Sequence, residues 1–239
     1  MTAQTIDITR GDIAFAVIDD PETRSWNFWE QQYASGVWEA EVLDTIDSYL
    51  ADGGDYLDIG AWVGPTVLWA AQRADHVIAV EPDPVAAGLL LGNVGMNVNN
   101  VTIWPAAVTN GIDGSVTMRS WRWGNSSSTI VPHDQIFPWI AQQPHIHELM
   151  ECDVPAVDLA DVLGQAGAGH DLRLVKVDIE GGEEDLVARL GEAHCPIILS
   201  LHLPWVADAD LMLADIQRLG QVTYLDNSTP DFPVVLIDP

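Results

Sequence analysis

YLDIGAWVGPT, residues 56–66, sets an apolar run holding a single acid directly against two glycines and a proline. Tyr56–Ile59 reads as a short strand, and a helix is expected over Pro65–Arg73. Gly60 and Gly64 let the chain turn tightly between the two and let backbone approach a ligand closely. The helix start offers free N–H groups that favour an anionic group such as a carboxylate, and Thr66 adds a hydroxyl there. Asp58, ahead of the first glycine, suits the ammonium of an amino acid. A dinucleotide fingerprint would place G-x-G-x-x-G after the strand. The spacing here is D-x-G-x-x-x-G, which favours an aminoacyl end over a pyrophosphate.

Outward from this loop, strand-like and helical runs alternate. His76–Val80 and Val101–Trp104 read as strands, with a helix over Pro84–Asn97 between them, proline in its first turn. Ser115–Arg119 alternates after the turn GIDG. Helices are expected at Val157–Gly164, with Asp158 as cap, at Glu183–Leu190 and at Asp208–Leu219. Strands are expected at Leu172–Ile179 and Ile197–Leu201, and Val222–Leu225 with Val234–Ile237 form an antiparallel closing pair. Such alternation predicts an α/β fold with a doubly wound, mostly parallel sheet, in which ligands sit at the carboxyl ends of the strands. Residues 1–50 read as an amphipathic helical lead-in, with Trp26, Phe28, Trp29, Tyr33, Trp38, Val42, Leu43 and Ile46 near helical spacing. Residues 120–150 are irregular and rich in Trp, Ser, His and Pro, a substrate-side insert. No linker divides the chain, so one domain over 1–239 is expected.

Composition narrows the function. Of 239 residues 48% are hydrophobic, which argues against disorder. No apolar run reaches the roughly 18–20 residues of a membrane span, and the N-terminus does not read as a signal peptide. Cys152 and Cys195 are too few for a disulfide framework or a zinc motif, so a cytoplasmic protein with reduced thiols is expected. Nine basic against 36 acidic residues give a net charge of −27. Without a Lys/Arg cluster this disfavours nucleic acid and acidic substrates. Homo-oligomerisation stays open.

Two further motifs lie at predicted strand ends. Glu81, in VIAVEPDP, ends a strand where an acid accepts both hydroxyls of a ribose, a group shared by NAD and S-adenosylmethionine. In VKVDIEGGE, Asp178 and Glu180 stand two apart, so strand alternation would aim both the same way, and Gly181-Gly182 permits a sharp exit. Glu183 and Glu184 suit the first turn of the next helix. Lys176, the chain's only lysine, precedes Asp178 by two and is a partner charge or a substrate contact.

The set DIGAWVGPT, AVEPDP, PAAVTNGIDGSVTM and VKVDIEGGEEDL resembles the FkbM family of class I S-adenosylmethionine-dependent methyltransferases, over roughly residues 36–205. The resemblance implies a Rossmann-like fold and O-methylation of hydroxyls on sugars, glycans or polyketide-type natural products. It implies that Asp58, Gly60, Gly64 and Glu81 line the cofactor, with Ala61, Trp62, Thr66 and Pro82 in the same two loops. Ala106 and Ala107 lie by the adenine, and Glu39, in the stretch GVWE, contacts the methionine end. Family members commonly carry Asn at the position of Trp62, so packing or stacking replaces a polar contact here. The 120–150 insert matches no family pattern.

Methyl transfer needs the hydroxyl oxygen in line with the sulfonium methyl and a base for its proton. Asp178 and His202, in LSLHLPW, are the candidate bases, with Glu180 and Lys176 beside them. A Mg²⁺ on Asp178 and Glu180 is an alternative that is not favoured, and no metal site is expected. His133, His145 and His147 with Asp134, Glu148 and Glu151 match no metal-ligand spacing. Trp121, Trp123, Asn125 and Ser127 offer aromatic faces, an amide and a hydroxyl suited to a sugar or another flat neutral acceptor. Two competing readings remain on the same sheet: an NAD-dependent oxidoreductase, and a non-catalytic Rossmann-like scaffold.

Overall fold

The computed structural model describes residues 4–20, 28–112, 114–140, 142, 148–167, 171–225 and 229–239, with side chains for all of these but 137–140. In chain order the elements are β1 (Gln4–Arg10), β2 (Ile13–Asp19), a π-helical turn (Phe28–Tyr33), α1 (Ala40–Tyr49), β3 (Asp55–Ile59), α2 (Pro65–Ala70), β4 (His76–Val80), α3 (Pro84–Asn97) and β5 (Val101–Trp104). There follow β6 (Ala107–Thr109), β7 (Gly114–Ser120), α4 (His133–Ile140), β8 (Met150–Asp158), α5 (Leu159–Gly167), β9 (Leu172–Val177), α6 (Glu183–Leu190), β10 (Ile197–Ser200), α7 (Ala209–Leu219), β11 (Gln221–Tyr224) and β12 (Val234–Asp238).

Seven strands form the main sheet in the order β11-β12-β10-β9-β3-β4-β5. The pairs β10–β9, β9–β3, β3–β4 and β4–β5 are parallel, and β12 runs antiparallel between β10 and β11. The chain winds outward from β3 to β5, then returns to build from β9 in the other direction. The switch point therefore lies between β3 and β9, where crossovers leave to opposite sides and a crevice opens at the strand ends. Every residue of β3 is buried. Tyr56 belongs to the core on the side of α1, α2 and α3, while Leu57 and Ile59 belong to the core with α5, α6 and α7. Helices on both faces explain why β3 carries apolar side chains toward both, with Asp55 at its start and Asp58 the one acid inside the run.

Among the described residues of the first fifty, Gln4–Asp19 form a hairpin, and helical conformation is seen at Phe28–Tyr33 and Ala40–Tyr49. Ile6, Ile8, Ile13, Phe15 and Val17 recur at period two, and Gly11-Asp12 makes a two-residue turn between Arg10 and Ile13, with Gly11 at φ 61°. That alternation outweighs the later helical spacing. The hairpin docks on α3 through two amides. Asn93 Oδ1 accepts from the Ile18 amide and Asn97 Oδ1 from the Ala16 amide, both at 2.8 Å. Phe28, Trp29, Tyr33 and Trp38 pack into one aromatic cluster with Phe15 and Trp62, ring centroids 4.7–6.1 Å apart. Trp26, His145 and His147 lie outside the described residues.

Within the predicted 120–150 insert the described regular element is α4, and the insert is flanked by two paired strands, β7 before it and β8 after it. β8 runs antiparallel to β7 and parallel to β6, giving a small three-stranded sheet. Pro155 within the sequence of β8 hid that strand. As expected, Asp158 Oδ1 accepts from the Ala160 amide at the start of the following helix.

Candidate active site

A cavity of about 520 Å³ opens at the switch point. On its β3 side Asp58 is fully buried. Its Oδ2 accepts hydrogen bonds from Thr66 Oγ1 (2.5 Å) and Tyr56 OH (3.3 Å), so the Thr66 proton is spent on Asp58 while its oxygen, in the cavity lining, can still accept. Asp58 Oδ1 has no hydrogen-bond partner among the described residues; Lys176 Nζ lies 3.9 Å away. Burial raises the Asp58 carboxyl against the pull of Lys176. Gly60 stands at φ 88°, and a Cβ there would lie 1.8 Å from the Asp178 carbonyl oxygen. Only glycine lets the β3 and β9 loops meet this closely.

Glu81, at the end of β4, is held by backbone. The Trp62 amide donates to Oε2 (2.8 Å) and the Asp83 amide to Oε1 (2.7 Å). Burial pushes its carboxyl up to about 8 against those two bonds. Each oxygen keeps a second lone pair, so the group can accept two further hydroxyls. Ala61, Trp62, Pro82, Ala106 and Ala107 line the same cavity. Gly64 turns the chain into α2 at φ 94°, with Leu90 against it. Trp62 itself is left-handed, at φ 49°. Its ring packs edge-on against Phe28 and its Nε1 donates to the Gly124 carbonyl at 3.0 Å. The Trp62 ring, which the departure from the family pattern assigned to packing or stacking, is held by that edge contact and that hydrogen bond.

Glu39 enters the cavity from ahead of α1. Its Oε2 is buried with no hydrogen-bond partner among the described residues. Burial lifts this carboxyl to about 7, opposed by Lys176. Two buried carboxylate oxygens lack a partner among the described residues, Glu39 Oε2 in the cavity lining and Asp58 Oδ1 beside Lys176, and they fit the ammonium of an aminoacyl ligand, since an unsatisfied buried acceptor costs about 1–3 kcal/mol unless a donor arrives.

On the β9 side Lys176 Nζ donates to Asp178 Oδ2 at 3.1 Å. Burial works against its ammonium, but Asp178, Asp58 and Glu39 outweigh it and keep it charged. Asp178 and Glu180 do reach the same cavity, though not by strand alternation. β9 ends at Val177, and Glu180 takes the left-handed conformation at φ 55°, which bends its side chain back. His202 lies with Nε2 3.1 Å from Glu180 Oε2 and 3.9 Å from Asp178 Oδ1, and Nδ1 3.0 Å from Glu183 Oε1. Burial alone would lower the imidazole; Glu180, Glu183 and Asp178 together hold it up at about 10. Burial also lifts Glu180 to about 8, with His202 pulling the other way. Asp178 is kept low by Lys176 and His202 in spite of burial.

Two contributors were not assigned a place in the site from the sequence. Glu183, expected to cap the helix, does cap its own loop by accepting from the Ile179 and Gly181 amides, and the same Oε1 orients His202. Asp83 caps α3 through Oδ1, with the Val85 and Ala86 amides donating. Its Oδ2 accepts from the Gly124 amide (2.8 Å) and Ser128 Oγ (2.7 Å), which ties the 120s loop to the end of β4. The signal for Asp83 was its place just before Pro84.

From that loop the cavity is lined by Asn125, Ser126, Ser128 and Ile130. Trp121 lies under the Arg122 guanidinium, 4.9 Å from its ring centroid, and Trp123 packs against the small cluster of Ala107, Met118 and Val154. Asn125 Nδ2 donates to Ser120 Oγ (2.8 Å), and its Oδ1 accepts from the Ser127 amide, so the amide organises the loop.

Asp178, Glu183 and His202 offer ligand-type atoms within 4.8 Å of one another. Both Glu183 oxygens already hold backbone amides, and both ring nitrogens of His202 face carboxylates. A hard cation such as Mg²⁺ wants free oxygens, and this set does not fit it. Glu151 pairs with Arg119 (2.8 Å), and His133 opens α4, away from the cavity.

A model of the methyltransferase FkbM domain matches residues 58–217, more than half of the chain and all the strand-end motifs from β3 to β10. The chain belongs to the FkbM methyltransferase family. S-adenosylmethionine-dependent methyl transfer follows at that coarse level, which removes the oxidoreductase reading. No curated protein matches the chain significantly. Similar solved structures include M. jannaschii TYW2 in complex with AdoMet (12% identity, 100% of this chain and 86% of that one, TM-score 0.49). Others are a ribosomal protein L11 methylase from Lactobacillus delbrueckii subsp. bulgaricus (10%, 85% and 80%, TM-score 0.46) and a precorrin-6y C5,15-methyltransferase from Geobacter metallireducens GS-15 (16%, 82% and 86%, TM-score 0.42). No helix among the described residues is long and apolar enough to cross a membrane.

Proposed function

We propose that this FkbM-family protein transfers a methyl group to a hydroxyl of a neutral, polyhydroxylated small molecule: a sugar, a glycan or a glycosylated natural product. The observation that carries the reading is the meeting of Asp178, Glu180 and His202 in the lining of the cavity that Glu39 and Glu81 also line. Paired carboxylates suit vicinal hydroxyls, and Phe232, with its ring 5.8 Å from that of His202, supplies an apolar face beside them. Ser200 and Thr229 line the same side. An anionic acceptor, nucleic acid included, would meet a chain of net charge −27.

S-adenosylmethionine, when bound, supplies an electrophilic methyl on a sulfonium. The chain has to position the acceptor oxygen and take its proton. Asp178 is the proton acceptor in this reading, because Lys176 and His202 hold it ionised. A carboxylate of lowered pKa is a weak base, but the hydroxyl becomes strongly acidic as its oxygen gains the new bond, so a late transfer suffices. His202, held as imidazolium with Nδ1 on Glu183 and Nε2 on Glu180, keeps Asp178 ionised and orients Glu180 toward the acceptor; the sequence reading had it share the role of base with Asp178. Lys176 neutralises the wall between Asp58 and Asp178. Glu39 and Asp58 take the ammonium, and Glu81 the ribose hydroxyls.

Calorimetric titration tests the cofactor side: S-adenosylhomocysteine is expected to bind and NAD to give no heat. Silence for S-adenosylhomocysteine would overturn it. Radiolabelled methyl transfer onto a panel of glycosides and onto RNA tests the acceptor side, with incorporation confined to RNA as the refuting result.

A further inference from the structure

Arg10 closes β1, and its guanidinium donates to three carbonyls of one turn: Trp38 (2.9 Å), Tyr33 (3.3 Å) and Gly36 (3.3 Å). It also lies over the Tyr33 ring, 5.0 Å from the centroid. Arg73, Arg119, Arg173, Arg189 and Arg218 each pair with a carboxylate. Arg10, in a chain with 36 acids, gathers backbone oxygens instead. Five donors in a rigid fork suit that task, and an ammonium does not.

The turn so held is the one that presents Glu39. The Trp38 carbonyl belongs to the peptide that enters Glu39, and Glu39 itself is left-handed at φ 42°, ψ 46°. For a residue with a side chain that conformation costs about 1–2 kcal/mol and persists only where the surroundings over-determine it. The exit side is fixed by α1, through the Leu43 amide donating to the Glu39 carbonyl at 3.1 Å. The entry side is fixed by Arg10. Between the two, Glu39, with its Oε2 buried and without a partner among the described residues, lines the cavity together with Lys176.

We propose that Arg10 is a positioning residue of the cofactor site, through which the N-terminal hairpin aims Glu39 at the ammonium of S-adenosylmethionine. The inference rests on the cofactor reading above. The charged groups facing Glu39 are Lys176 and Arg10, which lower its pKa, and Asp178 and Asp58, which raise it. Removing Arg10 therefore raises the Glu39 carboxyl further and shrinks its ionised fraction at neutral pH. A residue that only supported the fold would not move this titration.

The experiment is calorimetric binding of S-adenosylhomocysteine from pH 6 to 9 by the full chain, Arg10→Gln, Arg10→Lys, Glu39→Gln and the double variant Arg10→Gln with Glu39→Gln. Arg10→Gln is expected to weaken binding by about tenfold or more, with the acid limb of the affinity profile moved to higher pH; Arg10→Lys, which keeps the charge and loses the fork, is expected to weaken binding with the acid limb near its wild-type position. Glu39→Gln is expected to lose the acid limb, and the double variant to bind within about twofold of Glu39→Gln, because the two residues act as one unit. Unchanged affinity and pH profile in Arg10→Gln would overturn the proposal, and so would single losses that multiply in the double variant. If circular dichroism shows Arg10→Gln unfolded, Arg10→Lys carries the affinity comparison with Glu39→Gln. A wild-type chain that fails to bind overturns the cofactor reading itself, a result distinct from equal binding by all variants.

Discussion

Replacing His202 with glutamine separates the two roles this ring could play. The imidazole stands at about 10 against an ordinary 6.5, because three carboxylates surround it. That difference corresponds to roughly 5 kcal/mol in favour of the charged form. At pH 7.5 the ring is therefore a cation, and glutamine keeps a hydrogen-bond donor while deleting the charge. At the 3.9 Å separation of Nε2 from Asp178 Oδ1, the lost attraction is about 4 kcal/mol at an effective dielectric constant of 20. Asp178 keeps Lys176, so part of this loss is compensated, and its pKa rises from its depressed position. Turnover in His202→Gln is expected to fall by about 10²-fold, with a larger effect on kcat than on the affinity for S-adenosylhomocysteine. The pH profile of the wild type is expected to be flat through neutrality and to decline near pH 10; the variant is expected to lose that basic limb and to gain an acid limb. NMR titration of the His202 ring provides a direct check. A wild-type acid limb near 6.5 that disappears in the variant, or a neutral ring at pH 8, would refute the reasoning and return the base to His202.

Three further outcomes follow from the same geometry. Gly60→Ala places a Cβ 1.8 Å from a backbone oxygen at φ 88°, and the loss of stability by denaturant melt is expected to exceed about 3 kcal/mol; a loss under about 1 kcal/mol would mean that the β3 and β9 loops do not meet as described. Asp83→Ala removes a helix cap worth about 1 kcal/mol and the anchor of the 120s loop, so limited proteolysis should open that loop and the acceptor KM should rise while S-adenosylhomocysteine affinity holds. Glu39, Glu81 and Glu180 all lie above their ordinary 4.5, at about 7, 8 and 8. The folded state therefore binds more protons between 4.5 and 8, and stability falls as pH rises through that window. The His202 contribution has the same sign, complete below 6.5 and lost as pH passes about 10. Asp178, held low, contributes above its ordinary 3.8 and loses this only on stronger acidification. Tm should thus climb from pH 8.5 to 5.5, and a flat or falling Tm would contradict the buried carboxylates.

The sequence was most legible where local chemistry and tertiary role coincide. The β3 turn had to read as acid, glycine, glycine, because backbone conformation and close approach demand glycine whatever else the fold does. The hairpin was hidden by the residues after it, whose helical spacing is real in the turn Phe28–Tyr33 and in α1 but does not extend back to β1 and β2. β8 was hidden by proline. The tryptophans of the 120s loop suggested a sugar platform, yet residues this large and apolar also fill gaps between layers, and Trp123 does so. Local pattern cannot tell a platform from a wedge.

By itself, then, the sequence determined the parallel sheet and the family, and it put Asp58, Gly60 and Glu81 at strand ends whose place follows from the winding order. Only the tertiary structure decided the charge of the acceptor wall. His202 and Glu183 come from different elements, Glu180 arrives through a left-handed turn, and their mutual distances fix which of them carries the proton. Protonation depends on burial and on neighbours a few ångströms away, and those neighbours are distant in the chain.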